Sequence, residues 1–298
     1  MTRRIGVGVA GALALVVAGS AMAETIRITG NFPAPYREAS FLRRISIDRM
    51  TGVDGAALGF ALERAIGRSG YFTMVVGGAP ATASLAGSVT TDVNERRVQQ
   101  QRNQCTQRDG DKCVKNELVN VTCNERAIDV IADIRIADIR DGRIVYSERK
   151  ARQDRTTRCP GDGPPPATEG VIRGMVDSIA IETATNITPF TKTYDMRFYE
   201  SRDGLDKETG ARFKDAIRQT QRDPVGGCAA IAALNEAVPQ FALAYDAGLC
   251  AEASGDFAAA LALYQRAASL RPRDTADFDS GAVRARQLIQ RAEDDARR

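Results

Sequence analysis

The chain has 298 residues, with 41 Lys and Arg against 38 Asp and Glu, and neither histidine nor tryptophan. This near-balance of charge gives no basic field of the kind that draws proteins to nucleic acid. The lack of histidine excludes His-containing catalytic triads and most zinc sites.

Met1–Ala23 reads as a secretory signal peptide. Arg3 and Arg4 form the basic start, Ile5–Ala18 is apolar, and Ala21 and Ala23 frame an A-x-A-like site that puts cleavage before Glu24. The apolar stretch is shorter than the roughly 20 residues that span a bilayer. Cleavage predicts a soluble periplasmic protein. With Glu24 following the site, and Cys105 the first cysteine, no lipid anchor is expected.

Six cysteines, Cys105, Cys113, Cys123, Cys159, Cys228 and Cys250, follow the signal, and an even count in an exported chain favours disulfides. Six cysteines allow fifteen pairings, and strand register narrows them. Asp141-Gly142 reads as a two-residue type I′ turn. If Arg140 faces Arg143, Cys123 falls opposite position 160, one bulge away from Cys159. Cys105 and Cys113 flank the polar loop Thr106–Lys112, and Cys228 and Cys250 are left to join two helices.

In chain order, Ile26–Gly30 and Ile45–Arg49 read as short strands. Val53–Ser69 is an amphipathic helix with Leu58, Leu62, Ala65 and Ile66 on one face. Tyr71–Val76 is a strand ended by Gly77-Gly78, and Leu85–Val93 is extended. Ile128–Arg140 alternates with a period of two, so it belongs to a sheet covered on one side. Its partner runs from Arg143 to about Lys150. A Gly-Pro linker at 161–166, a helix from Thr168 to about Thr185 and a strand at Thr193–Glu200 follow. The fold class is α+β: an α/β sandwich over 24–200 with a mostly antiparallel sheet and an extended hairpin, then a linker at 201–206 and an all-α domain over 207–298.

The segments "ISIDRMTG", "ALGFALERAIGRSGYFTMV", "LAGSVT" and "VIADIRIADIRDGRIVYSER" resemble the curli production assembly/transport (CsgG-type) family and the outer-membrane activators of peptidoglycan synthases. The resemblance rests on Arg68–Val75 and Ile134–Val145 and covers about Ile26–Glu200. It implies a non-enzymatic envelope protein that binds or assembles with others, including as a homo-oligomer. Two features depart from it. Glu24 stands where lipoprotein members carry cysteine, and Asn94–Glu125 is too charged to face lipid.

Residues Phe241–Asp274 span one 34-residue tetratricopeptide period. Gly248, Gly255, Ala260, Tyr264, Ala267 and Pro272 fall at signature positions. Gly248 and Ala260 let two helices touch, Gly255 makes the turn, and Pro272 ends the second helix. Helices over Glu208–Arg222 and Gly227–Ala237 precede the repeat, and a polar helix, Ala276–Arg297, follows as a cap.

Ser147-Glu148-Arg149-Lys150 has the S-x-x-K spacing of penicillin-binding proteins, but on a strand Ser147 and Lys150 point to opposite faces. Asp129 and Asp133 share a strand face about 13 Å apart, too far for common metal ligation. No catalytic or metal site is expected, and no cofactor. The leading expectation is a periplasmic scaffold or adaptor that binds envelope proteins. The alternatives are a regulatory activator of a peptidoglycan synthase and an enzyme using carboxylates alone.

Overall fold

The computed structural model describes residues 24–75, 79–270 and 276–297, with side chains of the last segment described from 280. The signal at Met1–Ala23, the strand end at Gly77-Gly78 and Pro272 lie outside the described residues. The chain forms two compact units. An α/β unit comprises Thr29–Lys192 with Arg284–Arg298, and a helical unit comprises Thr193–Val283 with the residues up to Ile28.

In the α/β unit, β2 (Arg44–Ile47), β3 (Thr73–Val75), β4 (Ala83–Asp109), β5 (Lys112–Asp138) and β6 (Ile144–Arg158) form a sheet of order β3-β2-β4-β5-β6. The sheet is mixed. β4, β5 and β6 are antiparallel as the hairpin reading expects, but β2 runs parallel to both β3 and β4. The outermost strands of the sequence reading, β1 (Thr25–Phe32) and β7 (Phe190–Arg197), pair in a separate two-stranded sheet.

One face of the main sheet is covered by α1 (Gly55–Arg68) and α2 (Thr168–Ile187). Leu58, Leu62 and Ile66 of α1 and Val176, Ile179 and Ala184 of α2 close over Ile128, Val130, Ile134 and Ile136, which are fully or almost fully buried. Burial of such side chains stabilises by about 1.5–3 kcal/mol each. The alternate residues Asp129, Asp133 and Arg135 face away, where Gln153 donates to Asp129 at 2.8 Å and Arg149 lies 4.0 Å from Asp133. The last part of α7 (Ala276–Arg297) also belongs to this unit: Arg37 grips the buried Asp294, and Arg291 stands over the Tyr71 ring.

The β5–β6 turn differs from the type I′ expectation. Asp138 closes the loop on Arg143, donating its N–H to the Arg143 carbonyl and accepting from Gly142, both at 2.8 Å. The loop thus holds four residues, of which only Gly142 has positive φ (74°). The cause is the buried Asp138 carboxylate. It accepts from the backbone and guanidinium of Arg140, which pulls the loop inward and holds the acid below its usual range. A bulge between Ile136 and Ala137 then shifts the register so that Asn124 faces Arg158.

A polar cluster sits at the edge of the apolar core. Lys150 is buried on the helix side of β6, where it bonds Glu148 and Glu182 of α2. Ser147 is exposed on the other side, so the S-x-x-K pair is split across the sheet. Glu148 also accepts from Tyr36 (2.6 Å), Tyr146 (2.8 Å) and Asn186 (3.0 Å). Burial alone would raise its pKa, but donation from Lys150 and the two tyrosines outweighs burial and leaves it at about 2.

A group whose folded pKa lies below its unfolded value adds stability above the unfolded pKa and loses it as pH falls. Glu148 therefore contributes fully above pH 4.5, and its contribution disappears between 4.5 and about 2. Glu148→Gln is expected to cost about 2–3 kcal/mol at neutral pH. It should also flatten the acid limb of a urea-denaturation series; an unchanged limb contradicts this assignment.

Candidate interaction site

The described strands β4 and β5 run 27 residues each, far beyond the mean strand of about five or six. β6 pairs with β5 only up to Asn124, and β2 with β4 only over Ala83–Leu85, with one further bridge at Ser88. Beyond these limits the hairpin continues as a two-stranded ribbon, Val98 paired to Cys123 and Asp109 to Lys112. Among the described residues both outer edges of the ribbon lack a strand partner. Its side chains are mostly polar, rich in Gln, Asn and Arg, with Val114 exposed near the tip and Leu118 exposed midway along it.

An isolated two-stranded ribbon is marginal in water. Here it is fastened at both ends. Cys105–Cys113 closes the tip and Cys123–Cys159 ties the base to the segment after β6. Arg102 adds an ionic clamp, donating to both oxygens of Asp162 at 2.7 and 3.0 Å. Asp162 in turn accepts from the Cys159 N–H at 2.9 Å. These bonds, with the backbone contribution first, hold the Asp162 carboxyl below its usual range. The composition of Asn94–Glu125 gives the exposure of this segment, but its length as paired strand is carried only by the Cys spacing and by weak alternation.

The helical unit contains α3 (Lys207–Thr220), α4 (Pro224–Ala237), α5 (Phe241–Ser254) and α6 (Phe257–Leu270), and the start of α7. Asp206, Asp223 and Gln240 cap α3, α4 and α5 by accepting first-turn N–H groups at 2.9 Å. Cys228–Cys250 joins α4 to α5. Gly255 ends α5 in the left-handed conformation (φ 85°). Ala260, Tyr264 and Ala267 form the buried stripe of α6, and Gly248 faces Tyr264 so closely that an added Cβ would lie 2.8 Å from the ring. The structure thus brings Gly248, Ala260, Tyr264 and Ala267 to helix contacts.

The repeat pattern gives no sign of two buried acids on α5. Asp246 is fully buried, accepting the Tyr199 N–H at 2.8 Å. Burial pushes its carboxyl well above the usual range, against the Tyr199 bond and reinforced by Glu200. Glu252, also buried, accepts from Tyr194 at 2.6 Å and from Tyr264. A shallow apolar cavity of about 500 Å³ lies along α4–α6, lined by Val225, Ala229, Ala232, Asn235, Ala251 and Leu263, among others.

No protein-family description matches the chain, and no curated protein does. Among solved structures it is similar to a PelC dodecamer from Paraburkholderia phytofirmans, with 14% identity over 56% of this chain and 97% of that one (TM-score 0.26). It is also similar to a minor lipoprotein from Acinetobacter baumannii, with 11% identity over 49% and 92% of the two chains (TM-score 0.26). These likenesses are too weak to carry an argument about fold or function.

Two measurements test the geometry. Replacing Cys123 and Cys159 together by serine removes a cross-link closing a loop of 36 residues. The loss in stability should be about 3–4 kcal/mol on the chain-entropy account, read by urea denaturation. Gly248→Ala should destabilise the helical unit by about 1–3 kcal/mol through overpacking on Tyr264; a neutral Gly248→Ala would show that α5 and α6 are not in this contact.

Proposed function

We propose that the protein is an exported envelope scaffold that engages partner proteins through its stapled ribbon. The observation that carries this reading is the ribbon itself, a hairpin held out beyond β2 and β6 by two disulfides and an Arg102–Asp162 clamp. Such a ribbon offers unpaired main-chain edges, and adding a strand to an exposed edge is a general mode of protein recognition. All six cysteines are disulfide-bonded, which suits an oxidising compartment outside the cytoplasm. Among the described residues, no helix is long and apolar enough to cross a membrane. The resemblance of Ile26–Glu200 to the CsgG-type family points the same way, and the helical unit supplies a second surface for protein contacts.

A photo-crosslinking side chain at Leu118, 66% exposed on the ribbon, tests the proposal. Discrete adducts with envelope proteins are expected from Leu118, and none from a control at exposed Val53, just before α1. Crosslinks absent at Leu118, or identical at both positions, would reject the ribbon as the docking element.

A further inference from the structure

Arg126 lies on β5 opposite Thr156, on the helix-covered side of the sheet, and is 7% exposed. Its Nη1 donates to the Pro166 carbonyl at 2.9 Å and to the Thr168 hydroxyl at 2.8 Å. The guanidinium is thereby pinned at the first residue of α2. Its other edge, Nε and Nη2, is buried and has no hydrogen-bond partner among the described residues. That edge is a fork of two parallel N–H donors, the geometry that matches a phosphate or carboxylate.

A buried guanidinium without a counter-charge is strongly unfavourable. The acids on neighbouring positions are engaged elsewhere: Asp154 accepts from Thr156 at 3.0 Å, and Asp162 from Arg102. The segment leading into α2, Gly163-Pro164-Pro165-Pro166-Ala167, contains no acid. Two more features add positive potential. Arg158, the diagonal neighbour of Arg126 in the β5–β6 ladder, also has a buried Nε without a hydrogen-bond partner among the described residues; Asp162, the acid acting on it, is bonded to Arg102. The 20-residue helix α2 starts at Thr168, beside the Arg126 guanidinium, with no side-chain cap at Ala167, so the positive end of its dipole adds to the local potential. Glu169, in the first turn, is exposed.

We propose that Arg126, Arg158 and the first turn of α2 form an oxyanion site that takes a phosphate group, held bidentately by the Nε/Nη2 fork of Arg126. A phosphate dianion meets both donors of the fork, and its charge answers the Arg126 guanidinium and the positive end of α2.

Calorimetric titration of the exported chain with inorganic phosphate, at ionic strength held constant with chloride, tests the site. Saturable one-to-one binding is expected, and Arg126→Lys, which keeps the charge but loses the fork, should weaken it at least about tenfold. Independently of any variant, phosphate should raise the thermal midpoint of the unaltered chain above that in matched chloride. No saturable binding by the unaltered chain, or equal binding by Arg126→Lys, overturns the proposal. Sedimentation with vesicles containing phosphatidic acid, compared with phosphatidylcholine alone, separates the two sources. Arg126-dependent sedimentation assigns the phosphate to a lipid headgroup; binding of inorganic phosphate alone assigns a free ion, and either upholds the site.

Discussion

The antiparallel pairing of β4 with β5 is the constraint on which the α/β unit depends. At one end of this long ladder, Leu85, Val89, Ile128, Val130 and Ile136 form the floor of the core beneath α1 and α2. At the other end the same two strands leave the core and run on as a polar ribbon. A slip of one residue would turn every core side chain outward, so the register that builds the core also dictates which residues meet along the ribbon. Cys123 and Cys159 can join only because the loop at 139–142 and the bulge after Ile136 set β6 against β5 in that register.

Where apolar burial ends, charge pairing takes over. Lys150 occupies a strand position that elsewhere holds an apolar residue, and it is tolerated because Glu148 and Glu182 accept its three-donor head while two tyrosines and Asn186 complete the cluster. The helical unit treats buried acids differently. Glu252 is satisfied by tyrosine hydroxyls, whereas Asp246 has one oxygen without a partner among the described residues and is held toward its neutral form by burial. Breaking such a cluster by removing one member leaves the others buried and unpaired, which costs more than the pair itself contributes.

Much of the fold was legible because it rests on local periodicity. The alternation of Ile128–Ile136 and the stripe Leu58, Leu62, Ile66 give a strand and a helix directly. Sheet order was not, since the parallel placement of β2 between β3 and β4 is decided by tertiary packing. The turn after Asp138 departs from the sequence expectation because Asp141-Gly142 carries the hairpin signature, whereas the buried Asp138–Arg140 pair selects a four-residue loop. Among the site features, the cysteine spacings carry clear signals. The ribbon's full length and the partnerless fork of Arg126 do not, because they depend on where neighbouring strands stop and on which acids lie out of reach.

Hydrogen exchange along the ribbon tests the central claim most directly. If the disulfides and the Arg102–Asp162 clamp keep it a paired ladder, inward-facing amides within 98–109 and 112–123 will exchange far more slowly than free chain in the oxidised protein. Exchange of those amides at free-chain rates, with the core strands still protected, would contradict the account.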